Sequence, residues 1–157
     1  MQNEIARRSS LFSFALACLL ILAGCVTMRT DVVGNGDLKK FKRAYVEALA
    51  EDEFQIYGAL FSELSDMGME VVATSFKEPR EADLLVKYTY DAGRDFSRYL
   101  KSFQFQFIDA VTGRVVAAQS YRSGGIWLGT RDRRLKAAFN ELKAKNGYPP
   151  SKQFNGQ

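Results

Sequence analysis

The chain contains no histidine, and only two cysteines, three prolines and one tryptophan among its 157 residues. Without imidazole it lacks both the commonest general base and the commonest metal ligand. Both cysteines, Cys18 and Cys25, lie in the first twenty-five residues. Everything after them is therefore without a disulfide and without a thiolate to attack a substrate or to hold zinc or an iron–sulfur cluster. Neither sign of charge dominates: 22 basic and 18 acidic side chains give a formal +4, too small an excess to argue for a nucleic-acid partner. There is no internal repeat and no low-complexity segment.

What is present begins with an address. Arg7 and Arg8 precede an uncharged run over residues 11–23, and this run ends in Leu22-Ala23-Gly24-Cys25. Thirteen residues fall short of the ~20 that a membrane-spanning helix needs. A short positive segment, a short apolar segment and small residues before a cysteine describe a removable bacterial lipoprotein signal. Cleavage is expected between Gly24 and Cys25, with diacylglycerol on the Cys25 thiol and an optional third chain on its amine. Such chains contribute about 0.8 kcal/mol per buried methylene, so two or three together form a lasting anchor. Residue 26 is Val rather than Asp, which predicts passage to the outer membrane, facing the periplasm. Loss of Glu4, Arg7 and Arg8 with the signal changes the formal +4 to +3.

The pattern of the remainder predicts a signal peptide over 1–24, a lipidated cysteine and tether over 25–37, an α+β domain over 38–148 and a disordered tail over 149–157. The tether assignment rests on polarity, on Gly34-Asn35-Gly36 and on the want of a sustained apolar period. Residues 41–48 alternate moderately and predict a strand. Phe54, Tyr57, Leu60, Phe61, Leu64 and Met67 recur at three- and four-residue spacing and predict a helix over 52–67, ended by Gly68. A strand over 70–74 would complete a parallel crossover. Further strands are expected over 83–91, 99–109 and 114–122. The second of these is the cleanest: Phe103, Phe105 and Phe107 alternate with Ser102, Gln104 and Gln106, an arrangement that only a strand lines up on one face. Asp109 to Gly113 reads as a tight hairpin. A last helix over 130–146 is capped by Thr130, with Leu135, Ala138, Phe139 and Leu142 as its buried stripe. The expected fold is a single α+β domain: a twisted mixed sheet of about five strands, mainly antiparallel, in the order βαββββα, with both helices on one face.

Groups that could carry chemistry are few. Asp91 and Asp95 flank a turn and fit either an acid/base or calcium pair or, as the plainer role, turn hydrogen bonding. Ser120 and Ser123 have no histidine partner, and Gly124-Gly125 is not followed by a phosphate-binding pattern. No cofactor or metal is expected, and the chain reads as a non-enzyme. Two features fit binding. Ile126-Trp127-Leu128 either contacts lipid, peptidoglycan or a partner, or closes the end of the core. Arg133, Lys136, Asn140 and Lys143 share one side of the last helix and either attract anionic head groups or simply form a solvated face. Tyr45, Tyr88, Tyr90, Tyr99 and Tyr121 fit either an aromatic docking face or burial beneath a helix.

The runs Ala82-Asp83-Leu84-Leu85-Val86-Lys87-Tyr88-Thr89-Tyr90 and, from Phe105 through Asp109-Ala110-Val111-Thr112-Gly113, to Val116 resemble small α+β envelope lipoproteins, the Sbal-type lipoprotein family. Tyr99-Leu100, Tyr121, Gly124-Gly125 and the helix through Leu142 continue the likeness. The resemblance implies the fold and the anchor, and it brings no activity and no functional residue. Together these readings give a lipid-anchored binding or structural module with membrane lipid and an envelope protein as partners and no nucleic acid. Lipid or lipopolysaccharide transport is the alternative, and it requires an apolar cavity between sheet and helices.

Overall fold

The structure is a computed structural model that describes residues 25–32, 37–72, 82–94, 97–124 and 130–151. Among the described residues, six strands and two helices follow one another as β1 (Cys25–Val32), β2 (Arg43–Val46), α1 (Ile56–Asp66), β3 (Glu70–Val72), β4 (Leu84–Arg94), β5 (Arg98–Asp109), β6 (Val115–Gly124) and α2 (Arg131–Lys145), with one 3-10 turn at Leu38–Lys40. The sheet order is β1-β6-β5-β4-β2-β3. β1–β6, β6–β5 and β5–β4 pair antiparallel, while β2 pairs parallel with both β3 and β4. The α+β class, the mixed sheet and the parallel crossover agree with the sequence; the strand count does not.

The extra strand overturns the tether. Residues 25–32 form the sheet edge, in continuous register from Cys25 opposite Gly124 to Val32 opposite Ala117. Thr30 points inward and is buried, its hydroxyl donating to the Gln119 side chain. Lys145 reaches from the end of α2 to the Thr30 carbonyl. A polar residue in an inward position conceals the alternation that would otherwise announce a strand. The tail also begins later than expected. Ser151 is buried and its N–H donates to Asn140 Oδ1 at 2.9 Å; residues 152–157 lie outside the described residues.

Local chemistry sets the other boundaries. Asp52 does not start α1 but caps it from outside: its carboxylate accepts from Ile56 N at 2.9 Å and Tyr57 N at 2.7 Å, while Gln55 takes a left-handed φ of 50°. Two otherwise orphaned N–H groups are thus satisfied. Asp83 ties β2 to β4 by accepting from Lys42 N and Arg43 N, each at 2.9 Å. Asp109 behaves as turn chemistry. The backbone N–H of Thr112, then that of Val111, holds its carboxyl below the usual carboxylate range. Gly113 supplies the positive φ of 67° that the hairpin requires.

One core lies between the sheet and the two helices, which cover the same face. Phe103, Phe105 and Phe107 are at most 2% exposed. Phe105 stacks on Phe103 at 4.8 Å and on Phe139 of α2 at 5.3 Å, and Phe103 stacks on Tyr121 at 5.1 Å. At the β4–β5 hairpin, the Tyr99 ring lies over Gly93: a Cβ added there would meet its Cζ at 2.3 Å. Gly93→Ala therefore displaces the Tyr99 ring, and we expect a loss of about 2 kcal/mol, read by urea unfolding; Gly58→Ala, where a Cβ meets nothing within 4 Å, serves as the comparison.

Candidate functional site

The richest grouping of polar side chains lies in the seam between α1 and α2. Lys143 Nζ, in a residue 2% exposed, donates to Glu63 Oε2 at 2.6 Å and to Ser151 Oγ at 2.9 Å. Ser151 Oγ donates onward to the same Glu63 oxygen at 2.7 Å, and Asp66 stands 3.8 Å from Nζ. Beside this cluster opens a cleft of about 480 Å³ with Ala59 and Phe139 toward its floor and Glu63, Asp66, Arg133 and Lys136 on its walls. That volume suits a small ligand. Lys143 donates to both Glu63 and Ser151, and Ser151 donates to Glu63, so the three side chains close a hydrogen-bonded triangle.

Lys143 therefore stands apart from the headgroup-binding or solvated face of the last helix on which the sequence placed it with Arg133, Lys136 and Asn140. Lys143 is among the most buried polar residues in the domain, because the side of α2 carrying Arg133, Lys136 and Lys143 turns toward α1 rather than away from the core. Arg133 remains exposed and Lys136 half-buried. Arg134 is also buried: its guanidinium sits 5.5 Å from the Tyr121 ring centre and 5.9 Å from that of Tyr99 and donates to the Leu100 carbonyl. Burial lowers its pKa from the ordinary arginine value, opposed by the two phenols.

The tyrosines do not make an aromatic docking face. Tyr88 and Tyr121 are buried on the helix side. Tyr88 donates to Asp52 at 3.2 Å and accepts from Leu49 N at 3.3 Å, and burial pushes its phenol up to about 12. Tyr90 ties the same loop to β4 by accepting from Glu53 N and donating to the Glu51 carbonyl. The opposite sheet face is instead polar. A shallow depression of about 360 Å³ there is lined by Thr27, Thr89, Asp91, Ser102, Gln104 and Arg122, among others.

No protein-family model and no curated protein matches the chain. Solved structures do share its fold. A DUF4136 family protein from Bacteroides thetaiotaomicron is 15% identical, with 78% of this chain and 96% of that one covered at a TM-score of 0.54. A PDZ domain protein from Parabacteroides distasonis is 17% identical over 83% of this chain at a TM-score of 0.53, and this chain spans 37% of its length. A PelC dodecamer from Paraburkholderia phytofirmans aligns over 82% of this chain and 100% of that one with 17% identity and a TM-score of 0.46. The likeness to the first two is one of fold.

Asp91 and Asp109 are far apart. Asp91 pairs across from Ser102 and accepts its hydroxyl at 2.8 Å, whereas Asp109 lies opposite Leu84 at the other end of the same ladder. Seven residues of β4 separate the two positions, roughly 23 Å at strand spacing. Among the described residues no group of three or more His, Cys, Asp or Glu side chains is placed to hold a metal. Asp95, Trp127 and Gly24 lie outside the described residues. The seam cluster escaped the sequence because Glu63 and Lys143 are 80 residues apart. Its one local signal was a lysine, Lys143, immediately after Leu142 of the buried stripe.

Proposed function

We infer that the mature chain is a non-enzymatic, lipid-anchored module of the bacterial envelope, held in the outer membrane, facing the periplasm and binding an envelope protein. The observation that carries this reading is Leu22-Ala23-Gly24-Cys25 behind Arg7, Arg8 and a short apolar run. Three further features support it. The chain has no histidine. The buried polar cluster is hydrogen-bonded within itself. The fold is shared with a DUF4136 family protein. Lipid or lipopolysaccharide transport is the weaker reading, because Phe103, Phe105 and Phe107 are all buried in the core and Phe105 stacks on Phe103 and Phe139.

The test is chemical. Protein recovered from its host is expected to begin at Cys25 and to carry the mass of a diacylglyceryl group with or without a third acyl chain. Cys25→Ala is expected to abolish that mass and to shift the protein out of the membrane fraction. An intact N-terminus or an unmodified thiol in the native protein overturns the anchor. Crosslinking in intact envelope is expected to capture one protein partner; a chain that stays monomeric and captures nothing overturns the binding role.

A further inference from the structure

The residue read as the acyl acceptor is also the first residue of β1, so the sheet begins where the lipid is attached. Cys25 lies opposite Gly124. On the next ladder Arg122 lies opposite Ser102, and continuing that register by two residues brings Gly124 level with Leu100. β4 in turn places Ala92 opposite Leu100. Cys25, Gly124, Leu100 and Ala92 therefore form one row across the sheet. The β4–β5 hairpin runs on past this row to Arg94 opposite Arg98, a projection of roughly 7 Å at strand spacing.

The charge of this end fits what the anchor would bring to it. Arg94, Arg98, Lys101 and Arg122 are all exposed. Among the described residues, the carboxylates beside them are Asp91, engaged by Ser102 at 2.8 Å, and Glu53, which holds Arg98 at 2.7 Å; Asp95 of the same hairpin lies outside the described residues. Arg94, Lys101 and Arg122 have no ion pair among the described residues. Each headgroup layer of a bilayer is roughly 5–8 Å deep, comparable with the projection of the hairpin. Arginine recognises phosphate oxygens through paired N–H donors, and anionic lipid draws basic segments to the surface.

We propose that this end of the sheet rests on the anionic headgroup layer of the bilayer that holds the acyl chains, with the side chains of Arg94 and Arg98 reaching lipid phosphates. The inference depends on acylation of Cys25 and goes beyond it. Acyl chains alone leave the domain free to tumble, whereas a strand that starts at the acylated residue gives it a fixed orientation. The exposed Val111 hairpin then points away from the membrane.

The experiment uses the acylated full chain, purified from its host and reconstituted in vesicles of phosphatidylethanolamine and phosphatidylglycerol. A nitroxide is attached at Arg94→Cys in one sample and at Val111→Cys in another, and relaxation by lipid-chelated nickel is measured. Residue 94 is expected to relax several-fold more strongly than residue 111, and the contrast is expected to shrink when Arg98→Glu and Arg122→Glu are added to the Arg94→Cys chain. Equal relaxation at the two sites, or stronger relaxation at 111, overturns the proposal. Mass spectrometry of the same samples separates the two failures. Acylated protein with equal relaxation sinks only the orientation; unacylated protein sinks the anchor as well.

Discussion

Phe105→Ala is expected to lower the free energy of unfolding by about 4 kcal/mol, much of the roughly 5–15 kcal/mol typical of a whole domain. The ring is fully buried at the middle of the sheet. It is stacked between Phe103 of its own strand and Phe139 of α2, with Tyr88 opposite on β4 and Gln119 opposite on β6. Its removal deletes the transfer energy of an aromatic ring, leaves a void that the surrounding elements cannot all close, and cuts the stack joining sheet to helix. Urea unfolding followed by circular dichroism measures the loss. Val111→Ala, at a residue 88% exposed, is expected to stay within about 0.5 kcal/mol of the parent. A loss below about 1 kcal/mol for Phe105→Ala contradicts the placement of the core.

Lys143→Met is expected to cost about 3 kcal/mol, for a different reason. Methionine nearly fills the volume, so packing changes little. What is lost is the ammonium between Glu63 and Ser151, and the Glu63 side chain, only 17% exposed, is left without its cation. Replacing both partners, Lys143→Met with Glu63→Met, removes the uncompensated charge, and the double variant is expected to return to within about 1 kcal/mol of the parent. The cycle distinguishes a buried pair from two independent surface charges, whose single losses would be small and would add. Additive effects in the double variant contradict the seam geometry.

Much of this architecture was legible in the residues. β5 declared itself because Phe103, Phe105 and Phe107 take its inward positions while Ser102, Gln104 and Gln106 take the outward ones. α2 was bounded by chemistry that needs no tertiary context, Thr130 accepting from Arg133 N at 3.4 Å at one end and Gly147 with a φ of 69° at the other. β1 was hidden because it is an edge strand: Thr27, Arg29 and Asp31 face solvent, and inward-facing Thr30 is as polar as they are. Its strand character comes from pairing with β6, which no local pattern records. The seam was illegible for a related reason. A helical wheel places Lys143 beside Arg133 and Lys136, but it cannot say that α1 will bring Glu63 against that side. The aromatic face failed likewise, since a strand's alternation separates two faces without saying which one the helices cover.

β1 has a consequence for how the chain reaches its folded form. Among the described residues it is the first strand in the chain, yet its one partner in the sheet is β6, with 89 residues separating Thr30 from Gln119. Until nearly the entire polypeptide has appeared, this strand has nowhere to pair, and closing so long a loop is slow relative to forming a local hairpin. The β4–β5–β6 meander can assemble first, leaving the N-terminal segment open to handling factors until the last third of the chain arrives to receive it.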